Sequence, residues 1–210
     1  MSSNFHTHII SENKNINEMV SIKADFPISL LPQLYSLEFH PWYLNLTSLD
    51  NIPSNILNNA AAIGEIGLDA QKGPSLDIQI NAFNKLLFIA NNLNKPIIIH
   101  NVGCTGELFD SLKQYPKLKV LIHGFIGKVT RLDEYLKRGY YVSLHPLALE
   151  KYDLSSYIKG RNLENIGFET DDDATLNITQ VIEKASSLLD IPNLETITDL
   201  TFETLFNRKQ

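Results

Sequence analysis

The sequence predicts an α/β protein: parallel strands covered by helices. Three observations carry this. Short runs that are apolar on both faces (PIIIH, KVLIH, YYVSL) read as fully buried strands. They alternate with stretches whose apolar residues recur every three to four positions, the period of a helix with one buried face. Nearly every run also ends in a polar side chain that a core would not want. Strand–helix alternation of this kind leaves two architectures open, a (β/α)8-type barrel or an open doubly wound sheet.

Taken in chain order, the first strand is expected at 4–9, where NFHTHI sets His6 and His8 two positions apart. Residues i and i+2 of a strand leave it on the same face, so the two imidazoles would stand side by side. Further strands are expected at 34–39, 61–66, 96–100, 119–123, 140–144 and 165–169. Between them, 76–93 (LDIQINAFNKLLFIANNL) lines up Ile80, Phe83, Leu87 and Ala90 on one helical face. The segments 106–114, 128–138 and 178–189 read similarly, and 196–206 forms a last helix. Seven or eight strands in 210 residues is short for a barrel, so some helices should shrink to loops, with 50–59 a candidate.

Composition bounds the function classes. A chain of 210 residues with 43% hydrophobic and 20% charged residues is expected to form one domain, 1–210. Its apolar runs are too short and interrupted to span a bilayer, and no basic-then-apolar start suggests a secretory signal. The single cysteine, Cys104, excludes an internal disulfide and fits a reducing cytoplasm. A net charge of −6 argues against non-specific attraction to nucleic acid or anionic lipid. We expect a monomer with no membrane association.

The polar strand ends are where chemistry is expected. They are His6 and His8 in FHTH, His40 in EFHPWY, Glu65 in IGEIGLD, His100 in PIIIH, His123 in VLIHGF, and Glu169 and Asp171 in IGFETDDD. In an α/β fold the carboxyl ends of the strands meet on one rim, so residues scattered in sequence converge. A single histidine there is ordinarily a satisfied polar residue at a loop start. Five of the chain's six histidines in that position, joined by carboxylates, need another account. Buried charges cost several kcal/mol unless paired or bound to metal. Imidazoles with carboxylates and no thiolate suit Zn2+, Mn2+, Fe2+ or Co2+ better than Ca2+. There are more ligands than one tetrahedral ion needs, so two ions sharing a carboxylate, activating water for hydrolysis, are the natural arrangement.

In their order along the chain these motifs resemble the TatD-like metal-dependent hydrolases, a deoxyribonuclease family of the amidohydrolase-like barrel superfamily. The landmarks are H-x-H in FHTH, H-P-W in EFHPWY, GEIGLD at Gly64–Asp69, PIIIH, IHGFIG at Ile122–Gly127, E-T-D at Glu169–Asp171 and a loosely matching LTFETLF. The resemblance, closest to a short bacterial subgroup, implies a compact TIM-type barrel holding one or two divalent ions (Zn, Mn, Mg, Fe or Co). By position, His6, His8 and Asp171 would hold one ion, His100 and His123 the other, with Glu65 bridging. Asp171 would also orient or deprotonate the attacking water, making Asp171 and Glu65 the catalytic pair and DNA or another phosphoester the substrate.

Three departures from the family pattern bear on the substrate. His100 is followed by Asn101-Val102-Gly103 where fuller forms carry basic residues, Asp172 and Asp173 add negative charge after Asp171, and His145 after YYVSL is unusual. A small amide, lactone or ester is therefore the second candidate substrate, and a non-catalytic metal-binding relative the third reading. Trp42 is a candidate to stack a base, with packing as its other role. Lys72 is a candidate loop cation for a phosphate, with a solvated side chain as the plainer reading. Cys104 has no base beside it and is read as structural.

Overall fold

The computed structural model describes residues 1–44, 49, 52–151 and 153–206. The strands and α-helices follow in the order β1 Ser2–Thr7, β2 Ile16–Lys23, β3 Tyr35–Glu38, α1 Ser54–Asn59, β4 Ala62–Asp69, α2 Leu76–Asn92, β5 Ile97–Val102, α3 Thr105–Leu112, β6 Val120–Phe125, α4 Val129–Lys137, β7 Tyr141–Leu144, α5 Ala148–Lys151, α6 Leu154–Ile158, β8 Ile166–Phe168, α7 Ile178–Leu189 and α8 Leu194–Phe206, with strand–helix alternation from α1 to α5. The pairs β1–β2, β3–β4, β4–β5, β6–β7 and β7–β8 are parallel. The chain divides into two compact units, Met1–Val20 with Leu121–Gln210, and Ser21–Val120.

In the first unit, Phe5 of β1 is fully buried and meets Phe202 of α8 edge to face, with ring centroids 5.3 Å apart. Such aromatic pairs add about 0.5–1.5 kcal/mol to the area they bury. Because side chains alternate along a strand, burying Phe5 on the helix side sends His6 to the opposite face. Helix α7 begins where the Asn177 side chain accepts the Thr179 and Gln180 amides, at 2.9 and 3.4 Å. It buries Ile178, Ile182, Ala185 and Leu189, one helical face, as its spacing predicts.

In the second unit, β4 lies against β5 with Ile63, Ile66, Leu68 and Ile97, Ile98, Ile99 all fully buried. Two glycines allow this approach. A Cβ on Gly64 would lie 2.6 Å from Ile98 Cβ, and one on Gly67 only 1.9 Å from the His100 carbonyl oxygen. Both also hold positive φ, 154° and 146°, where a side chain is strained. The motif GEIGLD is thus a strand whose glycines bring its backbone, and Glu65 with it, close to the backbone of His100.

The structure adjusts several sequence expectations. The first strand ends at Thr7, so His8 lies just beyond it. Strand β2 was not expected, because the alternation of INEMVSIK is broken by Asn17 and Glu18 at its half-exposed start. Strands β4, β5 and β6 run past the ends predicted for them, so Glu65, His100 and His123 sit inside strands rather than at their last residue. On α2 the buried face holds Phe83, Leu87 and Ala90 but takes Gln79 in place of Ile80. Gln79 is buried because it serves backbone: its Oε1 accepts the Asp69 amide at 2.7 Å, and its Nε2 donates to the Asp69 and Pro74 carbonyls. Of the expected loop at 50–59, Ser54–Asn59 is a short helix; residues 50 and 51 lie outside the described residues.

Candidate metal centre

The first unit gathers His6, His8, His123, Glu169 and Asp171. Backbone bonds explain how residues so far apart in sequence meet. The Asp171 amide donates to the His6 carbonyl at 3.2 Å, and the His8 amide donates to the Asp171 carbonyl at 3.0 Å. Asp171 itself holds φ 52°, a left-handed conformation that aspartate tolerates better than most residues. The buried Asn4 supports this junction: its Nδ2 donates to Thr170 Oγ1 at 2.8 Å and its Oδ1 accepts the Thr170 amide at 3.1 Å. Asp171 Oδ1 then stands 3.6 Å from His6 Nε2 and 3.7 Å from His8 Nε2. The His6 ring lies 4.9 Å from His8 and 4.3 Å from His123, centroid to centroid.

Glu169 is fully buried behind this group. Its Oε1 faces His123 Nδ1 at 3.4 Å, and it accepts the Ser143 hydroxyl. Burial alone would raise its pKa. The charge and hydrogen bond of His123, then His6 and Ser143, outweigh burial and hold it below the ordinary carboxylate value.

The second unit gathers His40, Glu65, Asp69 and His100. Glu65 Oε1 lies 3.0 Å from His40 Nε2 and 2.8 Å from His100 Nδ1. The other nitrogen of His100, Nε2, is 3.1 Å from Asp69 Oδ2. Asp69 is buried, which would raise its pKa, but the Trp42 indole, the Gln71 and Lys72 amides and His100 together hold it low.

These donors fit divalent ions. Each of two sets, His40–Glu65–His100 and His123–Glu169–Asp171, offers ligand atoms within 4.8 Å of one another. Two ligands of one ion at about 2.1 Å stand roughly 3–3.7 Å apart; His6 and His8 lie 3.6 and 3.7 Å from Asp171 and His40 lies 3.0 Å from Glu65, while His100 and Glu65, at 2.8 Å, are at hydrogen-bond distance. The donors are imidazole nitrogens and carboxylate oxygens without sulfur, a set for Zn, Mn, Fe, Co or Mg.

Of the remaining candidates, Trp42 is half-buried and donates its indole N–H to Asp69 Oδ2 at 2.5 Å. Lys72 is exposed, its ammonium 3.9 Å above the Trp42 ring, a cation–π contact. Cys104 is buried, and its thiol pKa is raised by burial and by the nearby Glu107 and Asp69 charges. His145 Nδ1 accepts the Leu147 amide and the residue joins neither donor set. Sequence reasoning left Glu169, Asp69 and His40 without roles. Their signal was present as charged or titratable residues beside buried runs, but which of them turn toward a ligand depends on strand pleat and length. No helix among the described residues is long and apolar enough to cross a membrane.

The sequence model of a family described as TatD related DNase matches residues 7–207. The chain belongs to this family. An uncharacterized metal-dependent hydrolase of Methanocaldococcus jannaschii is 30% identical over 141 residues, covering 65% of this chain and 55% of the relative. Deoxyribonuclease TATDN3 of Homo sapiens is 28% identical over 128 residues, 59% of this chain and 47% of the relative. The chain thus spans about half the length of the curated relatives it matches. Among solved structures, the TatD homolog YJJV of Escherichia coli superposes with a TM-score of 0.75 at 20% identity, over 91% of this chain and 86% of that one. A dihydroorotase of Campylobacter jejuni follows with a TM-score of 0.53 at 13% identity, over 93% of this chain and 67% of that one. These likenesses establish the fold class as the TIM-type (β/α)8 barrel expected from the motifs.

Proposed function

We propose that this TatD-family chain is a divalent-metal-dependent hydrolase, a phosphodiesterase acting on DNA. The observation that carries the reading is the assembly of His/carboxylate donor sets from separate strands, at the spacing of ligands around an ion. Membership of a DNase family and the likeness to a relative named a deoxyribonuclease supply the substrate class. The proposed ligands are His6, His8, Asp171 and His123 in the first unit and Glu65 and His100 in the second. An ion held there would lower the pKa of a coordinated water toward neutrality and stabilise charge on the phosphoryl oxygens.

The chain's own residues do the rest. His6 is fully buried, while His8 and Asp171 are 29% and 33% exposed. Substrate and solvent therefore reach the first unit's donors from the side of His8 and Asp171. With Oδ1 on the ligand side, the second carboxylate oxygen of the part-exposed Asp171 can accept a proton from an attacking water and pass it to solvent. The backbone bonds between Asp171 and His6–His8 hold the Asp171 main chain beside the two histidines.

The test is nuclease activity on single- and double-stranded DNA after chelation and after adding back Mg2+ or Mn2+. Activity should vanish and return. Protein carrying both Glu65→Ala and His100→Ala that still cuts DNA at the wild-type rate refutes the assignment. A second reading, hydrolysis of a small amide, lactone or ester, is favoured by Asp172 and Asp173 beside Asp171 and by the uncharged Asn101-Val102-Gly103 after His100. Turnover of such a compound by metal-loaded protein that leaves DNA intact decides for it.

A further inference from the structure

His40, Glu65 and His100 are spaced like three ligands of one ion, yet their hydrogen bonds divide them into ligands and supports. The Nδ1 of His40 accepts the backbone amide of Trp42 at 3.1 Å. A nitrogen that accepts has no proton, so the neutral ring carries its proton on Nε2. That Nε2 lies 3.0 Å from Glu65 Oε1, where it donates. A ring whose two nitrogens are committed in this way, one accepting and one donating, has no lone pair left for a metal.

His100 is the reverse case. Asp69 Oδ1 accepts the Gln71 and Lys72 amides at 2.7 and 3.1 Å, and Oδ2 accepts the Trp42 indole N–H. With donors on both oxygens, Asp69 is a carboxylate that can only accept, so His100 Nε2, 3.1 Å from Oδ2, bears a proton toward it. This leaves the Nδ1 lone pair of His100 directed at Glu65 Oε1, 2.8 Å away. Two acceptors at that distance are stable only with a cation, a proton or a metal ion, shared between them.

We propose that Asp69 and His40 are positioning residues of the centre: Asp69 holds His100 in the tautomer that presents Nδ1 as its ligand atom, and His40 orients Glu65 by donating to it without binding metal. Trp42 ties the two together, its backbone amide setting the His40 tautomer and its indole anchoring Asp69. Carboxylate support of a ligating histidine is worth about 10- to 100-fold in metal affinity. The inference rests on the metal-centre reading above and goes beyond it in excluding one residue of the donor set and adding another that is not in it.

Two measurements test it. In the metal-free protein, 15N NMR of the histidine rings should show the His40 proton on Nε2; a proton on Nδ1 overturns the assignment. In the second, Co2+ uptake is titrated through its visible absorption bands. Asp69→Asn keeps the Oδ1 turn bonds but sets an amide donor against the two N–H groups at Oδ2. It should weaken Co2+ binding at one site by about 10- to 100-fold. His40→Gln, which can still donate to Glu65, should keep the wild-type stoichiometry, whereas His40→Asn, which keeps only the bond to the Trp42 amide, should bind more weakly. Loss of one whole ion in His40→Gln makes His40 a ligand and overturns the proposal. Equal Co2+ affinity of wild type and Asp69→Asn overturns it while leaving the metal reading intact. Wild-type protein that takes up no Co2+, Zn2+ or Mn2+ overturns both. Should Asp69→Asn fail to fold, the NMR tautomer and the His40 pair still decide.

Discussion

Replacing Gly67 with alanine tests whether the motif GEIGLD is built around the contact between β4 and β5. The new Cβ would sit 1.9 Å from the His100 carbonyl oxygen and 2.9 Å from its carbonyl carbon. Carbon–oxygen contacts normally begin near about 3.3 Å, so the strands would have to part by more than about 1 Å. Gly67 and His100 are register partners, so the displaced backbone is the one that carries a proposed ligand. Overpacking costs about 1–3 kcal/mol, and the φ of 146° adds backbone strain of about 1–3 kcal/mol. The sum, about 2–6 kcal/mol, is a large part of a total of about 5–15 kcal/mol. Gly106→Ala is the control. Gly106 lies in α3, nothing stands within 4 Å of its added Cβ, and the exchange should stabilise by about 0.5–1 kcal/mol. Urea titrations followed by circular dichroism should move the two midpoints in opposite directions, with Co2+ uptake impaired only in Gly67→Ala. A Gly67→Ala midpoint equal to that of wild type would show that β4 and β5 do not approach as described.

Other outcomes follow from the same contacts. Asn4→Ala leaves the Thr170 amide and hydroxyl without their buried partner, which should cost about 1–3 kcal/mol in urea unfolding and weaken metal uptake through Asp171. Glu169 has its pKa held low in the folded protein, so the stability it contributes is present above its ordinary 4.5 and is lost as pH falls through the lower folded value. Glu169→Gln should therefore lose stability less steeply on acidification below that point, measured by denaturant midpoints across pH. Phe5→Ala empties a site fully buried beneath Phe202 and should cost about 3–5 kcal/mol, read as a drop in Tm. Cys104 is buried with a raised thiol pKa, so it should react with a thiol reagent far more slowly in native than in urea-unfolded protein.

Much of the candidate site was legible because its residue types are expensive inside a fold. A histidine or carboxylate beside PIIIH, VLIH or IGF conflicts with the apolar pattern of a parallel strand, and that conflict marks function without coordinates. The helix at 178–189 was likewise readable from its spacing, and its bounds agree with the structure. Strand ends were not, since they depend on how far a neighbour continues the ladder; β4 extends to Asp69 because β5 pairs with it as far as Val102.

By itself the sequence determined which side chains must be sheltered or partnered: His6, His8, Glu65, His100, His123 and Asp171 are present as residue types whose burial demands compensation. It also determined where β4 can approach β5, since only glycine fits at positions 64 and 67. Tertiary structure decided the partners. His40 and His100 are the same residue type at comparable places, yet one meets a backbone amide and the other a carboxylate. A proton's position on an imidazole follows from what faces each nitrogen, and those partners come from separate segments that only folding brings together.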